Sequence, residues 1–324
     1  MAGMRVLVSA PYVLPVVDRF RPYFEAREIE LIEADVRERL SESDLLAYAG
    51  EIDGAICGDD SFTARVLEAS HPRLKVVSKW GTGIDSIDLV TADRLGIQVC
   101  NTPGAFTDAV ADTVMAYILA FARRTPWMDR QMKAGQWDKL PGVALHERTL
   151  GVVGVGRIGK AVIRRAHAFG MRILGNDIVD IDPEFLTSHA VTMQPLDDLL
   201  GASHYVSVNC DLNDTSRHLI DSGRLGRMRA DAILINAARG RVVDEPALVA
   251  ALQAEQIAGA ALDVYEDEPL PGDSPLRSMD NVLLAPHNAN SSPEAWERVH
   301  RSTIDNLLRG LGKQSVDWSE RSAG

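Results

Sequence analysis

Three ionisable residues, each placed after a short apolar run, could together bind a small acid and move a proton. Arg239 lies in INAARG, Glu268 in DVYEDEP and His287 in LAPH. An arginine can bind both oxygens of a carboxylate, and a histidine can exchange a proton near neutral pH. A glutamate beside the histidine would stabilise its charged form and fix its tautomer. This combination predicts chemistry on a 2-hydroxy or 2-oxo acid.

Taken singly, each of these residues could be an ordinary surface charge, because most charged side chains are exposed to solvent. Arg239 could cap a helix, and Glu268 stands in an acidic run with Glu266 and Asp267. His287 is more distinctive, since the small polar loop NANSS follows it and none of the other histidines has such a loop. The functional interpretation therefore requires that all three converge at one sheet edge.

The stretch GVVGVGRIG, at 151–159, could bind the pyrophosphate of a dinucleotide. Gly154, Gly156 and Gly159 follow a valine-rich strand and open a helix, whose free N–H groups attract phosphate. The next predicted strand ends in Asp177, whose carboxylate would accept both ribose hydroxyls. No arginine adjoins Asp177 to bind a 2′-phosphate, so NAD is predicted rather than NADP. The alternative is a tight turn without a ligand.

Two alternations of strands and helices must position these groups, and they predict two doubly wound α/β layers with parallel sheets. A long helix from about Asp108 to Arg123 and a polar, tryptophan-bearing segment separate the two alternations, and the second begins at Thr149. The first alternation comprises predicted strands at 4–10, 29–34, 53–57, 74–80 and 96–101, with helices at 18–27, 42–51 and 63–71 between them.

The last predicted helix, 293–311, has no strand after it, so we expect the chain to return to the first domain. The expected limits are 1–104 with 290–324 for a discontinuous substrate domain, and 105–289 for the cofactor domain. The tail SERSAG, at 319–324, is expected to be frayed, and no separate regulatory module is expected after it.

Composition places the chain among ordinary globular proteins. Its 324 residues are 46% hydrophobic and 25% charged, which suits two cores. The formal net charge of −12 disfavours nucleic acid and anionic lipid as partners. The chain has three cysteines, an odd number, and each lies in or beside an apolar run: Cys57, Cys100 and Cys210. This indicates reduced thiols and a cytoplasmic location. Neither a signal peptide nor a membrane span is expected at the start.

The motifs GTGIDSIDL, NTPG, VAD, GVVGVGRIG, INAARGRVVDE, ALDVYEDEP and APHNA occur in this order. From about Leu74 to Arg301, the chain thereby resembles the D-isomer-specific 2-hydroxyacid dehydrogenase family, which includes 3-phosphoglycerate dehydrogenase. The resemblance implies a Rossmann NAD-binding domain, a flavodoxin-like substrate domain and an active site between them. It also implies a homodimer that pairs through the NAD-binding domains and uses the segment 125–140.

The resemblance assigns roles to individual residues. Arg239, Glu268 and His287 match the catalytic arginine, glutamate and histidine of the family, and Arg239 also binds substrate. Backbone amides near Thr82 and Gly83 are implied to hold the substrate carboxylate. The implied NAD-binding residues are Gly154, Gly156, Arg157, Ile158 and Gly159 at the pyrophosphate, Asp177 at the ribose, Cys210, Asp211 and Ser216 on the adenine side, and Ala237, Ala238 and Asp263 at the nicotinamide.

Several positions depart from the family pattern. Ser86 replaces the usual asparagine after the G-x-G-x-D turn, and Asp112 replaces the glutamate of the VAE motif. The usual His-x-Pro-Leu reads Asn209-Cys210-Asp211-Leu212 here, which places an acid beside the expected adenine pocket.

Asp59 and Asp60 stand where phosphoglycerate-type members have arginine after the third strand. A second anionic group on the substrate would be repelled there by about a kilocalorie per mole. Lys79, near the end of the next predicted strand, is a cation that could attract such a group, and it could equally be a strand-end lysine in solvent. Asp60 could instead cap the following helix. We expect glyoxylate, hydroxypyruvate or pyruvate to be preferred over 3-phosphohydroxypyruvate.

Two other functions are compatible with these motifs. One is oxidation of a different small anion, such as formate or phosphite, although formate enzymes resemble this family with glutamine where Glu268 stands. The other is a non-enzymatic NAD(H) sensor, because the C-terminal-binding-protein co-repressors resemble this family and keep its catalytic residues. Turnover with 2-oxo acids would separate the enzyme from the sensor.

Overall fold

A computed structural model describes residues 3–318, and the predicted frayed tail at 319–324 lies outside the described residues. The chain divides into two compact units. Unit 1 combines Met1–Phe106 with Ser292–Gly324, and unit 2 is Thr107–Ser291. Each unit contains one parallel sheet covered by helices on both faces, which confirms the predicted α/β architecture.

Unit 1 is built on five parallel strands in the order β2-β1-β3-β4-β5. The strands begin and end close to the predicted runs; β3 and β4 are fully buried in the middle of the sheet, and the edge strands β2 and β5 are partly exposed. They are β1 (Met4–Val8), β2 (Ile29–Glu33), β3 (Gly54–Cys57), β4 (Val76–Lys79) and β5 (Gln98–Cys100), and the helices are α1 (Arg21–Glu25), α2 (Glu42–Leu46), α3 (Ala64–Ser70), α4 (Leu89–Leu95) and α12 (Pro293–Gly310).

The helix α12 packs directly against the sheet of unit 1. Ser78 Oγ in β4 donates a hydrogen bond of 2.8 Å to the carbonyl of Thr303 in α12. A side chain at Gly310 would lie 2.5 Å from Val76, so the absence of a Cβ there permits the close approach of helix and strand. The last helix thus completes the core of the unit that contains the first hundred residues.

Unit 2 is built on seven parallel strands in the order β12-β11-β10-β9-β6-β7-β8. Two buried apolar clusters, one on each face of the sheet, form its core. The strands are β6 (Thr149–Val153), β7 (Arg172–Asn176), β8 (Val191–Met193), β9 (Tyr205–Val208), β10 (Ile233–Asn236), β11 (Gly259–Leu262) and β12 (Val282–Leu284), and the helices are α5 (Thr107–Arg123), α6 (Thr125–Lys133), α7 (Arg157–Ala168), α8 (Pro183–Ser188), α9 (Leu196–Ala202), α10 (Ser222–Leu225) and α11 (Glu245–Gln253).

In unit 2 the winding of the chain reverses between β6 and β9, which are neighbours in the sheet but not in sequence. Ligands of open parallel sheets bind at the carboxyl ends of strands on either side of such a reversal. Among residues 3–318, no helix has the length and apolar character needed to cross a bilayer.

Candidate active site

The three predicted ionisable residues follow three adjacent strands of unit 2. Arg239 comes after β10, Glu268 after β11 and His287 after β12. Backbone hydrogen bonds tie these strand ends together: Asp263 N donates to Asn236 O at 2.9 Å, and His287 N donates to Asp263 O at 2.8 Å. The sheet therefore brings the three segments to one edge, as parallel pairing requires.

His287 and Glu268 form a direct pair. The distance between His287 Nδ1 and Glu268 Oε2 is 2.9 Å, and both side chains are mostly buried. Tyr265 N donates to the other carboxylate oxygen, Glu268 Oε1, at 3.0 Å, which fixes the carboxylate. An ionised carboxylate only accepts hydrogen bonds, so this geometry suits the tautomer of His287 that carries its proton on Nδ1. Nε2 is then the nitrogen that can exchange a proton with a ligand.

The loop that carries His287 is anchored on Asp263. Asn288 N donates to Asp263 Oδ1 at 2.8 Å, and Ala289 N donates to Asp263 Oδ2 at 2.9 Å. Asp263 is 1% exposed; burial raises its pKa, and the two amide hydrogen bonds oppose that rise. His287 has a positive φ of 49°, a conformation that costs a non-glycine residue about 1 kcal/mol or more. The Asp263 contacts hold the histidine in this unusual backbone geometry.

Arg239 lies in a turn fixed by a buried asparagine, Asn236, which was not among the predicted site residues. Asn236 Nδ2 donates to Arg239 O at 2.9 Å, and Ala238 N donates to Asn236 Oδ1 at 3.1 Å. A Cβ at Gly240 would lie 1.9 Å from the carbonyl of Tyr265, so only glycine permits this approach. The N-x-x-R-G spacing is the sequence signal for both residues. Their contacts bring the Arg239 turn against the segment that ends in Glu268.

The glycine-rich turn after β6 has the geometry of a phosphate-binding loop. Gly154 has a φ of +89°, and a Cβ there would lie 2.6 Å from Cys210 N. A Cβ at Gly159 would lie 2.0 Å from Gly154 O. A Cβ at Gly156, the N-cap of α7, would meet no atom within 4 Å, and this helix end has no side-chain cap. Two glycines are thus required by packing, and the third leaves open space where a pyrophosphate would meet the helix N-terminus.

Asp177 adjoins this turn at the end of β7. Its Oδ2 accepts a hydrogen bond from Val155 N at 2.6 Å, and its Oδ1 accepts one from Val179 N at 3.1 Å. A dinucleotide needs three features that are present here: open space at Gly156, an uncapped helix N-terminus and an acid at the end of the next strand. The residues present therefore fit NAD. The carboxylate also stabilises the glycine-rich turn itself.

The remaining predicted cofactor residues lie in unit 2. Ser216 is buried; its hydroxyl donates to Asp211 O at 2.6 Å and accepts from Asn213 N at 2.9 Å, so it shapes the loop after β9. Asp211 is exposed at that loop. Burial raises the pKa of the Cys210 thiol to about 11, so the thiol is protonated at neutral pH. Four further residues occupy first-turn or strand-end positions: Arg157 and Ile158 in α7, and Ala237 and Ala238 after β10.

The loop that carries Thr82 and Gly83 belongs to unit 1 and follows β4. Thr102 Oγ1 donates to Gly81 O at 3.0 Å, and Asn101 Nδ2 donates to Thr82 O at 2.6 Å. Gly81 has a φ of +122°, which only glycine adopts readily. The loop is therefore fixed through its carbonyl groups by the residues that follow β5.

The expectation that Asp60 faces a ligand is wrong, and so is the alternative that it caps the following helix. Asp60 is fully buried, and Thr63 is the N-cap of α3. Asp60 accepts hydrogen bonds from Ser9 Oγ (2.6 Å), Leu40 N (2.5 Å) and Gly58 N (3.0 Å), while burial raises its pKa. Lys79 is not a solvent-exposed lysine either: it is 4% exposed and pairs with Asp59 at 2.8 Å.

Comparison with known proteins agrees with this geometry. Residues 115–289 match the family described as D-isomer specific 2-hydroxyacid dehydrogenase, NAD binding domain. A glyoxylate reductase of Korarchaeum cryptofilum is 43% identical over 77% of this chain and 76% of its own length. A D-3-phosphoglycerate dehydrogenase of Methanocaldococcus jannaschii is 36% identical over 89% of this chain and 56% of its own. The crystal structure of a D-lactate dehydrogenase from Aquifex aeolicus, complexed with NAD and lactic acid, has a TM-score of 0.83 at 26% identity and covers 95% of both chains.

Proposed function

This chain belongs to the D-isomer-specific 2-hydroxyacid dehydrogenase family, and from that premise we propose that its substrate is glyoxylate or a similarly small 2-oxo acid. The protein is an NAD-dependent oxidoreductase that transfers hydride between nicotinamide and C2 of a 2-hydroxy or 2-oxo acid. The observation that carries the proposed catalytic assignment is the 2.9 Å pair between His287 Nδ1 and Glu268 Oε2, beside the Arg239 turn.

His287 is the proposed general acid and base. In the reduction direction, its Nε2 donates a proton to the C2 oxygen, on which negative charge develops as hydride reaches C2. In the oxidation direction, Nε2 removes the proton of the C2 hydroxyl. Glu268 stabilises the imidazolium and fixes the Nδ1–H tautomer. NAD, when bound, supplies or accepts the hydride. The chain's own contribution is to position the reacting groups and to move one proton.

Arg239 is the proposed anchor for the substrate carboxylate, because a guanidinium binds both carboxylate oxygens in one plane. The turn fixed by Asn236 supports this assignment, since it limits the movement of the arginine backbone. The backbone amides near Thr82 and Gly83 are also proposed to bind the substrate carboxylate, as the family resemblance implies. Asp263 is proposed to bind the nicotinamide carboxamide and also to hold the His287 loop.

Steady-state kinetics with NADH and glyoxylate test these roles. His287→Ala should lower kcat about a hundredfold or more while NADH still binds, because a proton donor contributes roughly that factor. Glu268→Gln should lower kcat and shift the loss of reductase activity to lower pH, because the imidazolium loses its carboxylate partner. Arg239→Lys should raise KM although the charge is kept.

His189→Ala is the matched control for His287→Ala. His189 is a half-exposed histidine of unit 2 that packs on Phe185 and takes no part in the proposed site. It should retain wild-type kcat. Near-wild-type kcat/KM for both His287→Ala and Arg239→Lys would remove the proposed site. A wild-type protein that binds NADH but reduces no 2-oxo acid would refute the proposed substrate class and favour a sensor.

We also propose a homodimer that pairs through unit 2. The segment 125–140 supports this proposal, because it exposes Met132 (52%) and Trp137 (79%). Large apolar side chains exposed in this way often mark an interface.

The proposed location is the cytoplasm. Cys57, Cys100 and Cys210 are free thiols, and free thiols suit a reducing compartment. Fractionation of the native host with detection of the chain would test this assignment.

A further inference from the structure

We infer that Asp59 is a specificity-determining residue: it engages the Lys79 ammonium and so excludes 2-oxo acids that carry a second anionic group. This inference rests on the proposed function, because it concerns which 2-oxo acids the proposed site accepts. Asp59 determines which substrates bind and takes no part in the transfer of hydride or proton.

Asp59 lies where the winding of the unit 1 sheet reverses. β1 and β3 are paired neighbours, although β2 separates them in sequence. In open parallel sheets, the carboxyl ends of two such strands form the usual crevice for a ligand. Asp59 is the second residue after β3, and Lys79 is the last residue of the next strand, β4. The Thr82 loop, proposed to bind the substrate carboxylate, follows Lys79 within the same unit.

The position of Asp59 is fixed by the residue that follows it. Asp60 turns into the core and joins three segments, because it accepts hydrogen bonds from Ser9 after β1, from Leu40 before α2 and from Gly58 in its own loop. Such a buried acceptor with several donors is costly to disturb. The loop is therefore held in place on either side of Asp59.

The two members of the pair differ in their access to solvent. Lys79 Nζ lies 2.8 Å from Asp59 Oδ1, and the side chains are 5% and 30% exposed respectively. A ligand that approaches this strand end thus meets the carboxylate first, with the cation behind it. A second phosphate or carboxylate is repelled there, whereas a hydroxyl can donate a hydrogen bond to Asp59.

A pair of stacked aromatic rings adjoins Lys79 along the chain. Tyr12, in the loop after β1, stacks on Trp80 with 4.5 Å between ring centroids and 17° between planes. Trp80 immediately follows Lys79 and is buried. These rings carry no formal charge, so the charge near this strand end comes from ionised side chains such as the Asp59–Lys79 pair. The favoured substrates have a short neutral or hydroxylated tail.

The test compares two 2-oxo acids, glyoxylate and the dianion oxaloacetate, with NADH and the full-length chain. Asp59→Asn removes the carboxylate that is paired with the Lys79 ammonium, so the ratio of kcat/KM for oxaloacetate to that for glyoxylate should rise about tenfold, mainly through KM. The double variant Asp59→Asn/Lys79→Met should lose this gain, because the cation that attracts the second anion is gone.

Asp53→Asn is the matched control. Asp53 pairs with Arg73 at 3.2 Å at the opposite end of the same strand, β3. Its substitution removes the same charge from the same unit and should leave the substrate ratio unchanged. Thermal unfolding identifies a variant that fails to fold, and Asp59→Ser then replaces Asp59→Asn. An unchanged ratio in the folded Asp59 variant, or an equal gain in Asp53→Asn or in the double variant, overturns the inference.

These outcomes are separate from those of the proposed function. Absence of glyoxylate turnover in both the wild type and Asp53→Asn would refute the proposed function. Normal turnover with an unchanged substrate ratio in the Asp59 variant would refute the role of Asp59 alone.

Discussion

Asp177 combines two tasks that are usually considered separately. As an acid at the end of β7 it is suited to accept ribose hydroxyls, and its hydrogen bond from Val155 N also holds the glycine-rich turn. A substitution at this position therefore affects both the choice of cofactor and the shape of the turn that binds it.

We expect the wild type to prefer NADH over NADPH by at least tenfold, about 1.4 kcal/mol, because the Asp177 carboxylate repels a 2′-phosphate. Asp177→Asn should reduce that preference, since the amide oxygen can still accept from Val155 N but the charge is lost. The measurement is kcat/KM for both cofactors at saturating substrate. Equal use of the two cofactors by the wild type would contradict this assignment.

Burial shapes the behaviour of His300 in α12. Trp80 Nε1 donates to His300 Nδ1 at 2.9 Å, and burial lowers the pKa of His300 to about 4 from its ordinary value of 6.5. Between these pH values the unfolded chain binds a proton on His300 and the folded chain does not. Its contribution is therefore fully present above about pH 6.5 and is lost as the pH falls towards 4.

The predicted loss in the free energy of unfolding approaches about 3 kcal/mol over this range. Urea denaturation at about pH 7 and about pH 5 would measure the part of this loss, about 2 kcal/mol, that falls between those two pH values. His300→Gln keeps a hydrogen-bond acceptor for Trp80 without a titratable ring, so its urea midpoint should fall less between the two pH values. Identical pH dependence in the wild type and the variant would show that other groups govern acid stability.

In the turn from β6 into α7, one glycine is required by packing and another leaves space for a ligand. Gly154 and Gly156 belong to one motif, but a Cβ at Gly154 overlaps Cys210 N and a Cβ at Gly156 meets open space. The same substitution at these two glycines should therefore have different effects.

Gly154→Ala should destabilise unit 2, because the positive φ and the clash with backbone atoms both oppose a side chain. Gly156→Ala should leave the melting temperature near that of the wild type and weaken NADH binding about tenfold or more, since its methyl group occupies the space expected for pyrophosphate. Thermal unfolding and fluorescence titration with NADH give the two readouts. Wild-type NADH affinity in Gly156→Ala would argue against the pyrophosphate position.

The strands that lead to the site were predictable because each is an apolar run that ends in a residue capable of chemistry. Parallel pairing then places Arg239, Glu268 and His287 at one edge. Short elements such as α4, α8 and β8 lacked a long enough periodic pattern to be identified. The burial of Asp60 was also hidden, because its partners Ser9 and Leu40 are distant in sequence and a charged residue after a strand is usually exposed.

For the molecule as a whole, a net charge of −12 opposes nonspecific association, so any stable dimer requires a specific apolar surface. The exposed Met132 and Trp137 supply apolar groups for such a surface in unit 2. Their proposed role concerns assembly and is independent of the catalytic assignment.

We expect the wild type to elute as a species of about twice the chain mass of 35.3 kDa, and Met132→Ser/Trp137→Ser to shift towards the single-chain mass. Size-exclusion chromatography with light scattering measures this directly. Val90→Ser is the matched control, because Val90 is 82% exposed in unit 1, outside the proposed interface. A dimer that persists in the double variant would place the interface elsewhere.

The division of unit 1 between the two ends of the chain has a consequence for its synthesis. All five strands of its sheet leave the ribosome before Thr107, but α12, which covers Val76 and Gly54, emerges only after the whole of unit 2. At about 5–20 residues per second, that interval lasts roughly ten to forty seconds. During this time one apolar face of the unit 1 sheet is not yet covered by α12, while unit 2 can already fold. Translation that stops before Pro293 would leave unit 2 whole and unit 1 without its closing helix.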